Sequence, residues 1–452
     1  MTDTVRASAA PSTPAALSLS NRLAAAMGRR GVFYGWWVVA ATFLVMLATA
    51  EAMGATGIFI VPLQKEFGWS AADVSAAFAL RIALYGLMAP FAAALINRFG
   101  VRAVTVGAIG LVAAGILAST VMTQVWQLVV LWGVVVGLGT GMVALVLGAT
   151  VATRWFHQRR GLVVGILTAS GATGQLIFLP LLARLTEAYG WRSAVVVMVA
   201  TLLVAGVVAL LLMRDRPVDV GLAPFGARAL EPAPAVNPAF GDLVVSPLRV
   251  LYEVRGNRTF WILFATFFVC GLSTNGLIQT HWIALCGDYG VAPVAAAGAL
   301  AAIGAFDFVG TIVSGWLSDR YDNRWLLFVY YGLRGLSLLV LPFTGFSVIG
   351  LSAFTVFYGL DWVATVPPTV RLTAQRFGAE KANVTFGWIF AGHMLGASVA
   401  AFGAGLFRTE LMTYLPALYV AGVACVIAAA LALTIGRPRP APVVVAAAAP
   451  AE

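Results

Sequence analysis

Six side chains that carry charge or titrate lie inside long apolar stretches: Glu51, Arg81, Asp307, Arg334, Asp361 and His393. A charge placed in hydrocarbon costs at least ~2.5–3.5 kcal/mol, so each is a functional candidate by default. A guanidinium in such a setting holds a carboxylate by a two-pronged, charge-assisted contact. A carboxyl group there favours its neutral form and so takes up a proton readily, and an imidazole titrates near neutrality unaided. Arg81 with Asp307, and Glu51 as a second proton carrier, are the minimum needed to hold an organic anion and exchange a proton beside it. Arg334 and Asp361 fall on consecutive apolar stretches, where the simpler reading is a buried pair that joins two helices. His393 has two readings, a packed hydrogen-bonded residue or a substrate contact. Asn275, Gln279 and Thr365 are uncharged neighbours fit for hydrogen bonds to a ligand.

The elements that carry these residues must be membrane spans. The chain has 452 residues, 61% of them hydrophobic and only 10% charged, against about a quarter charged in soluble proteins. A span needs about 20 apolar residues at 1.5 Å each. Such runs occur at about 34–60, 72–96, 104–122, 125–150, 162–186 and 194–213, and again at about 260–284, 293–317, 326–343, 346–369, 384–407 and 415–436. The expected fold is an all-α membrane protein of twelve transmembrane helices in two pseudo-symmetric six-helix halves, 34–213 and 260–436. Residues 1–33 read as an N-terminal tail, disordered and not a cleaved signal peptide, and 437–452 as a C-terminal tail. The Pro-rich stretch 214–259 reads as a linker with a short surface helix near Val244–Arg255. Arg81 then lies ~15 Å into a ~30 Å core, near its middle. His281 sits near the outer end of the seventh span and is expected to meet water.

The formal charge is +10. Its location decides the partner: basic residues cluster between apolar runs, which favours a membrane's inner face over nucleic acid. With both termini in the cytoplasm of an inner (plasma) membrane, only Lys65, Arg184, Arg192 and Arg408 fall outside, and Arg81 and Arg334 within spans. Cys270, Cys286 and Cys425 lie in or at the ends of apolar runs, with no metal spacing and no disulfide framework. Glycines in the fourth span (Gly133, Gly137, Gly139, Gly141) and at or in the fifth (Gly161, Gly165, Gly171, Gly174) allow close helix approach, for packing or for a gate.

A duplication is visible at two turns. Gly315-Trp316-Leu317-Ser318-Asp319-Arg320-Tyr321-Asp322-Asn323-Arg324 ends one apolar run abruptly, and a shift of 222 positions lays it on Ala93–Arg102. Arg98 falls on Arg320 and Arg102 on Arg324, while Asn97 replaces Asp319 and Gly100 precedes the next run. The G-x-x-x-D-R-x-x-x-R pattern resembles the loop between helices 2 and 3, and 8 and 9, of the major facilitator superfamily. That resemblance implies a secondary transporter with a midplane site between two repeats. It also implies that Asp319, Arg320 and Arg324 lock a cytoplasmic gate, with Asn97, Arg98, Gly100 and Arg102 as the weaker copy.

A narrower resemblance is to monocarboxylate porters and oxalate:formate antiporters. Phe33-Tyr34-Gly35-Trp36-Trp37, the stretch Trp155–Leu162 followed by Ala169-Ser170-Gly171, and Phe306-Asp307 eight residues before Gly315 carry it. Two positions depart: Thr311 stands where those porters have an arginine, and Gly54 where they have a lysine. Arg81 is the available substitute. The sequence-based expectation is proton-coupled symport of a small organic anion such as a monocarboxylate by a monomeric carrier that needs no cofactor. The alternatives are a drug:proton antiporter, although Gly165–Pro180 lacks that family's Gly-Pro and Gly-Gly pattern, and a non-transporting nutrient sensor. No H-E-x-x-H, G-x-S-x-G or Walker-type loop is present, which argues against an embedded enzyme or a primary pump.

Overall fold

A computed structural model describes residues 19–30, 32–143, 145–227, 229–230 and 240–436. Among the described residues, twelve helices are long and apolar enough to cross a membrane. Spans 1 to 6 are Gly35–Gly54, Ala71–Ala92, Val101–Val121, Val125–Trp155, Leu162–Tyr189 and Trp191–Leu212. Spans 7 to 12 are Arg258–Asp288, Pro293–Arg320, Asn323–Thr344, Val348–Gly378, Lys381–Leu411 and Leu415–Leu433. Residues on the outer faces, such as Leu203, Val207, Ile312, Leu336 and Val423, are exposed. In lipid that exposure carries no hydrophobic penalty, and helical backbone satisfies its own polar groups.

The halves meet along two seams. Span 2 packs on span 11 and span 5 on span 8. The first seam runs from Ala72 N donating to Thr409 Oγ1 at 3.0 Å, past Tyr85 against Phe390, to Phe91 against Trp388. Close approach inside each half rests on small residues. In span 4, Gly133, Gly137 and Gly141 face the span 2 backbone, and a Cβ at Gly137 would lie 3.0 Å from Arg81 Cα. Gly139 faces span 3, so the span 4 glycines serve packing within the first half.

Two expectations need correction. His281 is fully buried, and its Nε2 lies 2.7 Å from Ala401 O, because the end of span 7 is covered by span 11 and by Tyr414. The tail is not all without structure: Leu19–Gly28 is a helix near span 6 whose Leu23, Ala24 and Met27 pack on the core of the first half. Residues 1–18, 231–239 and 437–452 lie outside the described residues. The linker contains a helix, Phe240–Val254, that rests on spans 2 and 11. Trp388 Nε1 donates to Pro247 O at 3.0 Å, and Lys381 pairs with Glu253 at 2.6 Å.

Candidate functional site

A cavity of about 170 Å³ lies between the halves. Span 1 contributes Met46, Thr49, Ala50 and Met53, and span 5 contributes Ser170, Gly171 and Gln175. Tyr85, Thr140, Val143, Asn275, Gln279 and Met394 complete the wall. None of these side chains is charged. The hydroxyls of Thr49, Thr140 and Ser170 donate to carbonyls of their own helices, so toward a ligand they offer acceptors. Donors for an acid come from the amides of Gln175 and Gln279 and from the Tyr85 hydroxyl.

Local structure explains how span 7 supplies two amides. From Leu272 to Gln279 it is a π-helix, a widened turn found often at functional sites. Asn275 Nδ2 donates to Gln279 Oε1. Gly271 admits the span 11 backbone: a Cβ there would stand 1.7 Å from His393 O. That approach sets His393 Nε2 3.0 Å from Asn275 Oδ1, with the ring stacked on Phe390. Asn275, Gln279 and His393 are therefore brought together at the cavity.

Arg81, Glu51 and Asp307 are not brought together. Arg81 is 1% exposed and lies behind Met53, where Nη1 donates to Ala52 O at 3.1 Å and Nη2 to Met53 O at 3.3 Å. Glu51 faces span 6 and accepts from Thr201 Oγ1 at 2.6 Å. Asp307 accepts from Thr311 Oγ1 at 3.0 Å and from Val363 N at 2.9 Å, which ties span 8 to span 10. Thr311, the departure from the porter pattern, is thus the partner of that carboxylate.

Arg334 Nε donates to Asp361 Oδ2 at 2.7 Å, and Nη2 bonds the carbonyls of Asp361 and Trp362. Its Nη1 donates to Cys270 Sγ at 2.9 Å, and that thiol lies 3.3 Å from Thr365 Oγ1. The guanidinium is 1% exposed, so the pair fastens spans 7, 9 and 10 inside the second half.

The two turn motifs are each tied within their own half. Asp319 pairs with Arg371 of span 10. Arg324 pairs with Asp322 at 2.6 Å and donates to Ile435 O at 3.1 Å, while Arg320 lies over Trp316 and Gly315 faces open space. In the first half Asn97 Oδ1 accepts from Arg154 Nη2 at 2.7 Å. Asp215 supplies the missing acid: its carboxylate accepts from Arg102 N at 2.9 Å. Gly100, at φ +86°, leaves room for that carboxylate, which a Cβ would meet at 2.4 Å. Arg98 lies beside the Phe99 ring.

Sequence reasoning missed Gln175, Tyr85, Thr49 and Met53 as cavity residues. Gln175 had a visible signal, an amide one turn past Ala169-Ser170-Gly171 in an apolar run. Comparisons with known proteins agree with this geometry. The model of the Major Facilitator Superfamily matches residues 40–401. An uncharacterized MFS-type transporter, YcxA of Bacillus subtilis, is 25% identical over 392 residues, covering 84% of this chain and 90% of its own. Monocarboxylate transporter 13 of Bos taurus is 27% identical over 394 residues, 86% of each chain. Among solved structures, a bacterial homologue of the human lysosomal transporter Spinster, inward-facing and occupied, superposes with a TM-score of 0.68 at 15% identity. It covers 90% of this chain and 97% of its own. Twelve spans in two halves, a cavity between them and a family match across most of the length lead to one conclusion: the chain is a transporter of the Major Facilitator Superfamily.

Proposed function

We propose that the protein carries a small organic acid, of the monocarboxylate class, together with a proton by alternating access. The observation that supports this reading is the uncharged cavity of about 170 Å³ rimmed by amides and hydroxyls, with Arg81 behind Met53. A carboxylate plus a proton is neutral in sum, so the wall itself needs no charged side chain, with Arg81 behind Met53 as the buried cation. The volume is below the ~300–1,000 Å³ of sites for drug-sized ligands, which favours a small solute over the drug reading. Of the titratable candidates, His393 is bonded to a cavity amide, whereas Glu51 and Asp307 face other helices. His393 is the proton-responsive group of this mechanism, and Arg81 the cation that the carboxylate approaches. The arginine-rich face lies in the cytoplasm of the inner membrane, and one chain suffices for transport. On that face the Asp319–Arg371 and Asn97–Arg154 contacts steady the span ends within each half while the halves separate.

The experiment is uptake by proteoliposomes of labelled mono- and dicarboxylates under an inward pH gradient, with protein-free vesicles as control. Gradient-driven uptake of a short monocarboxylate is the expected result. Movement of lipophilic cations against the gradient, with no acid moving, would replace this reading with a drug antiporter.

A further inference from the structure

Span 1 is not one continuous rod. Helix Gly35–Gly54 ends with Ala55 N bonding back to Glu51 O at 3.0 Å, and a second helix, Thr56–Phe67, starts at once. Arg81 aims its guanidinium at this joint: besides the carbonyls of Ala52 and Met53, Nη1 reaches Met53 Sδ at 3.0 Å. Carbonyls at a helix C-terminus carry the negative end of the helix dipole, so a cation closes them well; Met53 O also accepts from Thr56 Oγ1 at 3.3 Å. Span 4 packs close behind Arg81: a Cβ at Gly137 would lie 3.0 Å from its Cα and 3.0 Å from its carbonyl oxygen.

Two further contacts connect the joint to the cavity and to the other half. Met53 lines the cavity, so its side chain is what separates Arg81 from a solute there. Beyond the joint, Gly57 packs on span 7: a Cβ would lie 2.9 Å from Thr280 O and 3.0 Å from Gln279 O. The outer helix therefore rests on the backbone of a cavity-lining residue in the opposite half.

We propose that Arg81 is a substrate-operated latch on the span 1 joint, holding the carbonyls of Ala52 and Met53 until an incoming carboxylate draws it off and frees Thr56–Phe67 from span 7. This rests on the proposed transport of a small acid and adds how occupancy reaches the gate. The exchange of partners is favourable because a carboxylate meets the guanidinium as an opposite charge through two parallel hydrogen bonds, whereas each carbonyl offers a neutral acceptor to a single N–H. Arg81 Nε, buried without an acceptor among the described residues, supplies a further donor for the anion. A neutral solute of the same shape offers no such pull, so the latch discriminates acids from their amides.

The test is hydrogen–deuterium exchange, read at the amides of Ala55 to Ile58, on the full chain in lipid nanodiscs. The additions are saturating lactate, lactamide or chloride. Lactate, and not lactamide, should speed exchange about ten-fold or more. Arg81→Lys and Arg81→Gln should show the fast exchange with nothing added and no response to lactate. Unaltered slow exchange in folded Arg81 variants overturns the latch, even if lactate is transported. Fast exchange in those variants, with no acid bound or moved by the unmodified protein, keeps the latch and removes the proposed substrate. Should neither variant fold, the unmodified protein decides, and lactate binding without faster exchange overturns the latch.

Discussion

Replacing Asp361 alone should harm the protein far more than replacing both members of the Arg334–Asp361 pair. Asp361→Leu leaves Arg334, 1% exposed, with two carbonyls, a thiol and the Tyr331 ring as its partners among the described residues. An uncompensated charge of that kind costs ~3–5 kcal/mol. Arg334→Met leaves a buried carboxyl that escapes its charge by binding a proton, so the cost falls to about 1–3 kcal/mol for lost hydrogen bonds. The double variant has no buried charge and apolar groups of similar length, so about 1–2 kcal/mol is expected from imperfect packing. The coupling in the double-mutant cycle is then about 4–5 kcal/mol in favour of the pair. Reversible unfolding of the purified variants in mixed micelles measures it. A coupling under about 1 kcal/mol, or a double variant no more stable than Asp361→Leu, would refute the reasoning. Uptake by a well-folded double variant separates the structural role from a part in transport: the pair as a fastener predicts that transport survives.

Gly271→Ala should prevent stable folding, since its Cβ would stand 1.7 Å from His393 O, while Gly165→Ala, in open space, should be neutral; yield of folded protein after detergent extraction compares them. At the end of the first helix pair, burial alone would push the Glu66 carboxyl up, but the hydrogen bond from Trp191 and the hydrogen bond and charge of Arg192 hold it below its ordinary 4.5. A depressed carboxyl stabilises above its unfolded value and loses that contribution as pH falls through its folded one. The melting difference between the unmodified protein and Glu66→Gln should therefore be full near about pH 6 and shrink steadily below 4.5. A constant difference across that range would contradict it. His393→Leu should flatten the pH dependence of acid uptake while leaving exchange of acid for acid across equal pH largely intact; an unchanged pH profile would remove His393 from coupling.

Architecture was legible because hydrocarbon imposes strong rules on sequence. Twelve apolar runs, and a shift of 222 that aligns Arg98 with Arg320, suffice to give two six-helix halves. Buried charge is equally conspicuous, which is why Arg81, Arg334 and Asp361 drew notice from the sequence. What spacing does not reveal is direction around the helix axis. Glu51 and Met53 are two residues apart, yet one faces Thr201 of span 6 and the other the cavity. Uncharged polar residues give a weaker signal, since hydroxyls such as those of Thr49 and Ser170 are satisfied by their own helix. His281 misled because its place near a span end says nothing of span 11 and Tyr414 covering it. The acid that serves the first turn motif, Asp215, lies 113 residues from Arg102 and belongs to no local pattern.

The claim that an acid and a proton cross together is tested most directly by a pH dye sealed inside proteoliposomes. Membrane potential is clamped and a short monocarboxylate is added outside at equal pH. The account predicts internal acidification beyond that of protein-free vesicles, matched one to one by labelled acid, and abolished in Gln279→Leu at the cavity wall. Uptake of labelled acid with no change in internal pH would contradict it and leave movement of the anion without a proton as the mechanism.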